Sequence, residues 1–154
     1  MSADVDILAI EGGYALRGAI TEDADFSTVL ARSTGAVALD LHGVKRITSP
    51  GVSLWVDFLR ALAASGCRAE LVRCSPVMAH QFTMIPSTTA GARVVSLEAP
   101  YWCRACDAEA QLPVELVGAP TIAETAPCPR CGSAMDFDGD RASWIAFAAR
   151  EAAA

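Results

Sequence analysis

At 154 residues, 53% hydrophobic and 19% charged, the chain has the composition of a folded globular protein rather than a disordered one. This length suits one ordinary domain or a small domain with an appended module. The net charge of −6 is uneven: residues 1–97 hold nine acids and eight bases, residues 98–154 nine acids and four bases. No apolar run approaches the ~18 residues of a membrane span, so no membrane insertion is expected. Met1-Ser-Ala-Asp-Val-Asp6 lacks the basic region and apolar run of a secretory signal, which leads to the expectation of a cytoplasmic protein.

Two short strands are expected within Asp6–Ile20, separated by the hairpin signal Gly12-Gly13. The acidic segment Thr21–Asp25 then caps a brief helix near Asp25–Arg32. Ala36-Val-Ala-Leu-Asp-Leu41 reads as a central strand of a helix-covered sheet, because its apolar character is nearly continuous.

Ser49-Pro50 marks a helix start, with serine as N-cap and proline in the first turn, and the helix should reach about Ala64. Its apolar residues span roughly 200° of the helical wheel, against the ~100° stripe of an amphipathic surface helix. Leu54 and Phe58 are therefore candidates for a second contact beyond the sheet. Arg68–Arg73 supplies another strand. Ser75-Pro76 repeats the cap-and-proline device and opens a helix to about Ile85, with Met78, Phe82 and Ile85 on one buried face and His80 exposed. Ala92–Leu97 is a last strand. The order β-β-α-β-α-β-α-β fits an α/β fold: a mixed sheet flanked by helices.

Four cysteines form two pairs, Cys103-Arg-Ala-Cys106 and Cys128-Pro-Arg-Cys131. Each C-x2-C turn aims two thiolates at one centre, and two such knuckles satisfy one tetrahedral Zn2+. Four cysteines close the tetrahedron, so the expected role is structural; thiolate chemistry alone leaves iron as an alternative. The intervening Ala108–Thr125 segment is expected to form a hairpin, Asp136–Asp140 a hairpin turn rather than a calcium loop, and Ser143–Phe147 a strand. Cys67 and Cys74 flank the Arg68–Arg73 strand without ligand spacing and are expected to be buried free thiols. His42 and His80 have no evident carboxylate or nucleophile partner, and no phosphate-binding loop or hydrolase elbow is present. No catalytic constellation is expected.

Val37-Ala-Leu-Asp-Leu-His-Gly-Val-Lys-Arg-Ile47, followed by Thr48-Ser49-Pro50-Gly51 and a long apolar helix, resembles the STAS domains of bacterial anti-sigma factor antagonists. The similar stretch covers about residues 5–97. In that family the loop often reads Asp-Ser-Ser-Gly, and phosphorylation of its first serine by a partner kinase switches protein binding. The resemblance places Ser49 at the phosphoacceptor position and Gly51 at the family glycine; Thr48 stands where the aspartate would be and Pro50 replaces the second serine. From the residues alone, Ser49 is either an N-cap or a phosphate site. The cysteine segment resembles a zinc ribbon, following the STAS-like sheet as a small β-rich module.

These readings divide the chain into a STAS-like domain at 1–98, a zinc ribbon at 99–150 and a flexible tail at 151–154. They lead to the expectation of a non-enzymatic bacterial signalling or scaffold protein that binds another protein, with a kinase or other signalling protein as the partner. Candidate contacts are Ser49, Gly51, Leu54, Phe58 and Trp102. The acidic ribbon argues against a nucleic-acid adaptor, which needs basic residues near phosphates. A thiol or metal redox protein or enzyme is the other alternative, and homo-oligomerisation stays open.

Overall fold

The structure, a computed structural model, describes residues 4–118 and 120–153. Strands β1 (Asp6–Ile10) and β2 (Gly13–Ile20) pair antiparallel around Glu11-Gly12, where Gly12 takes a left-handed φ of 79°. Helix α1 (Ser27–Arg32) leads to β3 (Ala36–Ile47), six residues longer than the sequence signalled. Helix α2 (Ser49–Ala64), β4 (Arg68–Val72), α3 (Pro76–Met84), a 3-10 turn at Pro86–Thr89 and β5 (Arg93–Val94) follow.

The first sheet has the order β1-β2-β3-β4-β5, and β2 through β5 run parallel. Each crossover steps one strand in the same direction. Right-handed connections then place α1, α2 and α3 on one face. Burial along β3 records it: Val37, Leu39 and Leu41 are buried, while Ala36, Ala38 and Asp40 are partly or fully exposed. Against the buried set pack Trp55, Phe58, Leu59 and Leu62 of α2 with Met78 and Phe82 of α3. Phe26 stacks on Phe58 at 4.2 Å between ring centroids. Ile85, expected on the buried face of α3, is exposed because the helix ends one residue before it.

Between the buried Leu41 and Val44, β3 carries two residues towards the open side, His42 and Gly43. This bulge accompanies a register shift against β2. A Cβ at Gly43 would lie 2.5 Å from Cγ of Arg17, whose side chain crosses it.

Only Val95 separates β5 from β6 (Ser96–Cys103), which becomes an inner strand of a second, antiparallel sheet ordered β7-β6-β9-β8. Its other members are β7 (Glu109–Glu115), β8 (Thr125–Pro127) and β9 (Ala134–Phe137). The expected division at 98/99 falls inside β6. Cys74 clamps that strand to the end of β4: its amide donates to the Ser96 carbonyl at 3.1 Å and its carbonyl accepts from the Glu98 amide at 2.8 Å. Buried residues run without interruption from one sheet to the other.

The last element corrects two expectations. Ser143–Phe147 is not a strand, and residues 151–153 are not a free tail: both belong to helix α4 (Arg141–Ala153). Trp144, Phe147 and Ala148 recur at i, i+3 and i+4 and are buried, whereas Ile145 is exposed. The segment 136–140 likewise ends β9 and caps α4 rather than turning a hairpin. The Asp140 carboxylate accepts from the Ser143 hydroxyl at 2.6 Å and lies 3.5 Å from its amide. These bonds hold Asp140 below the usual carboxylate range. Helix α4 packs on α3, and burial raises the Glu151 carboxyl above its usual range.

Because Phe147 sits where the two sheets share a core, Phe147→Ala should cost about 3–5 kcal/mol. Urea unfolding followed by circular dichroism and by tryptophan fluorescence should give one coincident transition in both proteins; separated transitions would show two independent modules.

Candidate functional site

The two knuckles are the tips of separate hairpins. The expected pairing within Ala108–Thr125 does not form: β7 pairs with β6, and β8 with β9. At the first tip the Cys103 amide donates to the Ala108 carbonyl at 2.8 Å and the Asp107 amide to the Cys103 carbonyl at 2.8 Å. The second tip repeats this, with Cys128 to Ser133 at 2.7 Å and Gly132 to Cys128 at 2.9 Å. Both turns require a left-handed residue directly after the second cysteine. Gly132 adopts φ 80° there, and Asp107 adopts φ 60° at the equivalent place. Aspartate tolerates this region better than most residues. Trp102 steadies it, its indole N–H donating to Asp107 Oδ1 at 2.7 Å. Trp102, named as a partner contact, thus braces a knuckle.

Pairing of β6 with β9 brings the tips together. The sulfurs of Cys103 and Cys131 lie 3.5 Å apart, those of Cys106 and Cys128 3.7 Å, and all four within 4.8 Å of one another. A tetrahedral ion with metal–sulfur bonds of about 2.3 Å needs sulfurs ~3.8 Å apart. The four residues fit such an ion, and they form no disulfide. Cys103 and Cys128 are buried, Cys106 is half-buried and Cys131 is exposed.

The cluster is polarised. Hydrogen bonds from the Ser133 hydroxyl and amide hold the Cys131 thiol down at about 6. The Cys131 amide, with that of Arg130 at 3.4 Å, lowers Cys128. The Ala108 amide also lowers Cys106, but desolvation and hydrogen bonds with the other three sulfurs outweigh it and push Cys106 up to about 12. Crowded sulfurs resist ionising together, and a central cation removes that conflict. Cys67 and Cys74 stand apart as buried free thiols, as expected. Burial raises the Cys74 thiol above its ordinary range.

The second candidate region is the start of α2. Thr48, not Ser49, is the N-cap: its Oγ1 accepts from the Gly51 amide at 3.1 Å. Ser49 is the first helical residue and is exposed. Leu54 is half-buried. Gly51 and Phe58 are not surface contacts. A Cβ at Gly51 would lie 2.1 Å from the Ile20 carbonyl oxygen, so glycine lets α2 approach the end of β2; Phe58 is enclosed by its stack with Phe26.

Two charged contacts escaped the sequence reading. His42 Nδ1 lies 2.6 Å from Glu98 Oε1, and Arg73 pairs with Asp40 at 2.7 Å. The Asp40 hydrogen bond raises the Arg73 guanidinium. No local signal links His42 to Glu98, because the contact forms only where β6 passes β3. His80 is exposed as expected and, with Pro76, Pro100 and Trp144, lines a cleft of about 410 Å³ between α3 and the start of α4.

Comparison with protein-family models, curated proteins and solved structures gives no match. The chain is a small α/β protein with a helix-flanked mixed sheet and a C-terminal β-rich module closed by four cysteines. Among the described residues no helix is long and apolar enough to cross a membrane.

Elemental analysis should find one divalent ion per chain. Cys103→Ser should lose the ion and lower the melting temperature, since it removes a buried ligand from a site that closes the module. Thr48→Ala should cost about 1 kcal/mol through the lost cap, whereas Ser49→Ala should stay within ~0.5 kcal/mol. Chemical denaturation of the two variants distinguishes these roles.

Proposed function

We propose that the chain is a non-enzymatic regulator acting through protein–protein contact, built from a STAS-like α/β domain and a zinc ribbon. The observation that carries this reading is the division of labour at the start of α2. Thr48 performs the capping, and Ser49 stands exposed on the first turn of a 16-residue helix. A phosphate on Ser49 would meet unpaired amides and the positive helix end while adding up to two negative charges. Ser49 and Leu54 form the reachable part of the contact surface, with a kinase as the partner class that would act on Ser49. The order of elements through β5, matching the STAS resemblance of about residues 5–97, supports the family reading.

Zinc is the ion we assign to the four cysteines. Four thiolates leave no open position for water or substrate, which favours a structural ion. The residues at the two tips hold the ligands, and the ion would stiffen the sheet against which α4 folds back.

Native protein isolated from its cells should carry phosphate on the peptide containing Ser49, read by intact mass and fragmentation. Ser49→Ala should retain the copurifying protein and Ser49→Asp should release it. No phosphate, together with equal recovery by both variants, would remove Ser49 from the mechanism.

A further inference from the structure

The amino ends of β3, β4 and β5 border a cavity of about 540 Å³. It exists because β5 is only two residues long. That strand pairs with β4 at Glu70 and Leu71 alone, so Arg68 and Ala69 have no strand beside them on that edge. Alternation sends Ala69 to the helix side with the buried Leu71, and Arg68 and Glu70 to the other. Arg93 stands opposite Glu70. Both sides of the sheet thus contribute to one opening at the unpaired edge.

Small residues make the space. Ala90-Gly91-Ala92 lines one wall and Ala69 another, while Leu59 and Ala63, one turn apart on α2, close the helix side. Leu59 and Cys67 are 2% and 6% exposed and form an enclosed floor; Arg68 and Arg93 are exposed and form the rim. The Cys67 thiol already donates to the Ser33 carbonyl at 3.3 Å, so the floor is apolar in effect. Protein interiors hold few voids larger than a water molecule. This one has the size of a small-molecule site, roughly 300–1,000 Å³.

The charged residues lining the cavity are Arg68, Arg93 and Glu70. The ion pairs among the described residues are His42 with Glu98, Arg73 with Asp40 and Arg104 with Asp136, so none of these three is engaged. Two guanidinium groups against one carboxylate leave the rim one positive charge, within a chain of net charge −6. An unengaged guanidinium is a two-pronged donor shaped for a carboxylate. A cation would meet two like charges, and a phosphate dianion would bring more charge than the rim balances. We infer that the cavity binds a small apolar carboxylate. Its apolar body lies between α2 and Ala90–Ala92, and its carboxylate meets Arg68 and Arg93 at the rim.

Octanoate serves as the probe, titrated into the metal-loaded full chain and followed by proton–nitrogen correlation spectra. The amides of Ala63, Ala69 and Ala92 should shift together in one saturable step with a submillimolar dissociation constant. Octanol and octylammonium, which carry the same apolar body without the negative charge, should bind at least tenfold more weakly. Arg68→Gln and Arg93→Gln should each weaken octanoate several-fold while leaving the thermal transition in place. Arg104→Gln, at the first knuckle, should leave the affinity unchanged. Absence of a saturable shift up to about 10 mM overturns the inference. So do shifts centred elsewhere, such as the cleft beside His80, or equal binding of octanol and octanoate. Unchanged affinity in both Arg68→Gln and Arg93→Gln overturns it as well.

Discussion

The handover between β5 and β6 is the constraint on which the rest of the structure depends. One continuous run, interrupted only by Val95, leaves the parallel sheet and enters the antiparallel one. Its two backbone bonds with Cys74 fix where it leaves. Because alternate residues of a strand point to opposite faces, that registration also decides what each side of β6 meets. Leu97 and Ala99 enter the common core, while Glu98 emerges beside His42. A one-residue slip would bury the carboxylate and expose the leucine.

From this strand the cysteine module derives both its position and its chemistry. β6 ends at Cys103, so the first knuckle is held by the same ladder that joins the two sheets. β9 brings the second knuckle alongside, and the chain then returns through α4 to the helices of the first sheet. An ion bound at the tips would therefore stiffen more than its own turns: its ligands, the paired strands and the α4 contact form one packed unit. The cluster's uneven thiol acidities arise from hydrogen bonds within each knuckle and from crowding of sulfurs; the first effect forms with each turn, the second only when the hairpins meet.

Much of this was legible locally. Ser75-Pro76 marked a helix start because its cap and proline act within one turn, and the C-x2-C pairs marked a shared centre because ligand geometry is short-range. The Thr48-Ser49-Pro50 boundary was legible too, but its cap was displaced by one residue: both hydroxyls can cap, and backbone geometry selects Thr48. Helix α4 was misread because Ser143-Trp-Ile-Ala-Phe147 alternates well enough for a strand. The pair Asp140 and Ser143, with burial at Trp144, Phe147 and Ala148, carried the helical signal. Asp107 was overlooked because its match to Gly132 is conformational rather than chemical.

The sequence by itself determined the order of elements through β5, the four-cysteine ligand set and the acidic bias of the last third, since each is encoded in short windows or in composition. Tertiary structure alone decided which hairpins the knuckles belong to, the contact of His42 with Glu98, the enclosure of Phe58 and the side of the first sheet on which its helices pack. Those depend on strand order, crossover hand and register, which relate residues tens of positions apart. The physical reason is the same in each case: a local pattern specifies that a face will be buried, whereas packing specifies against what.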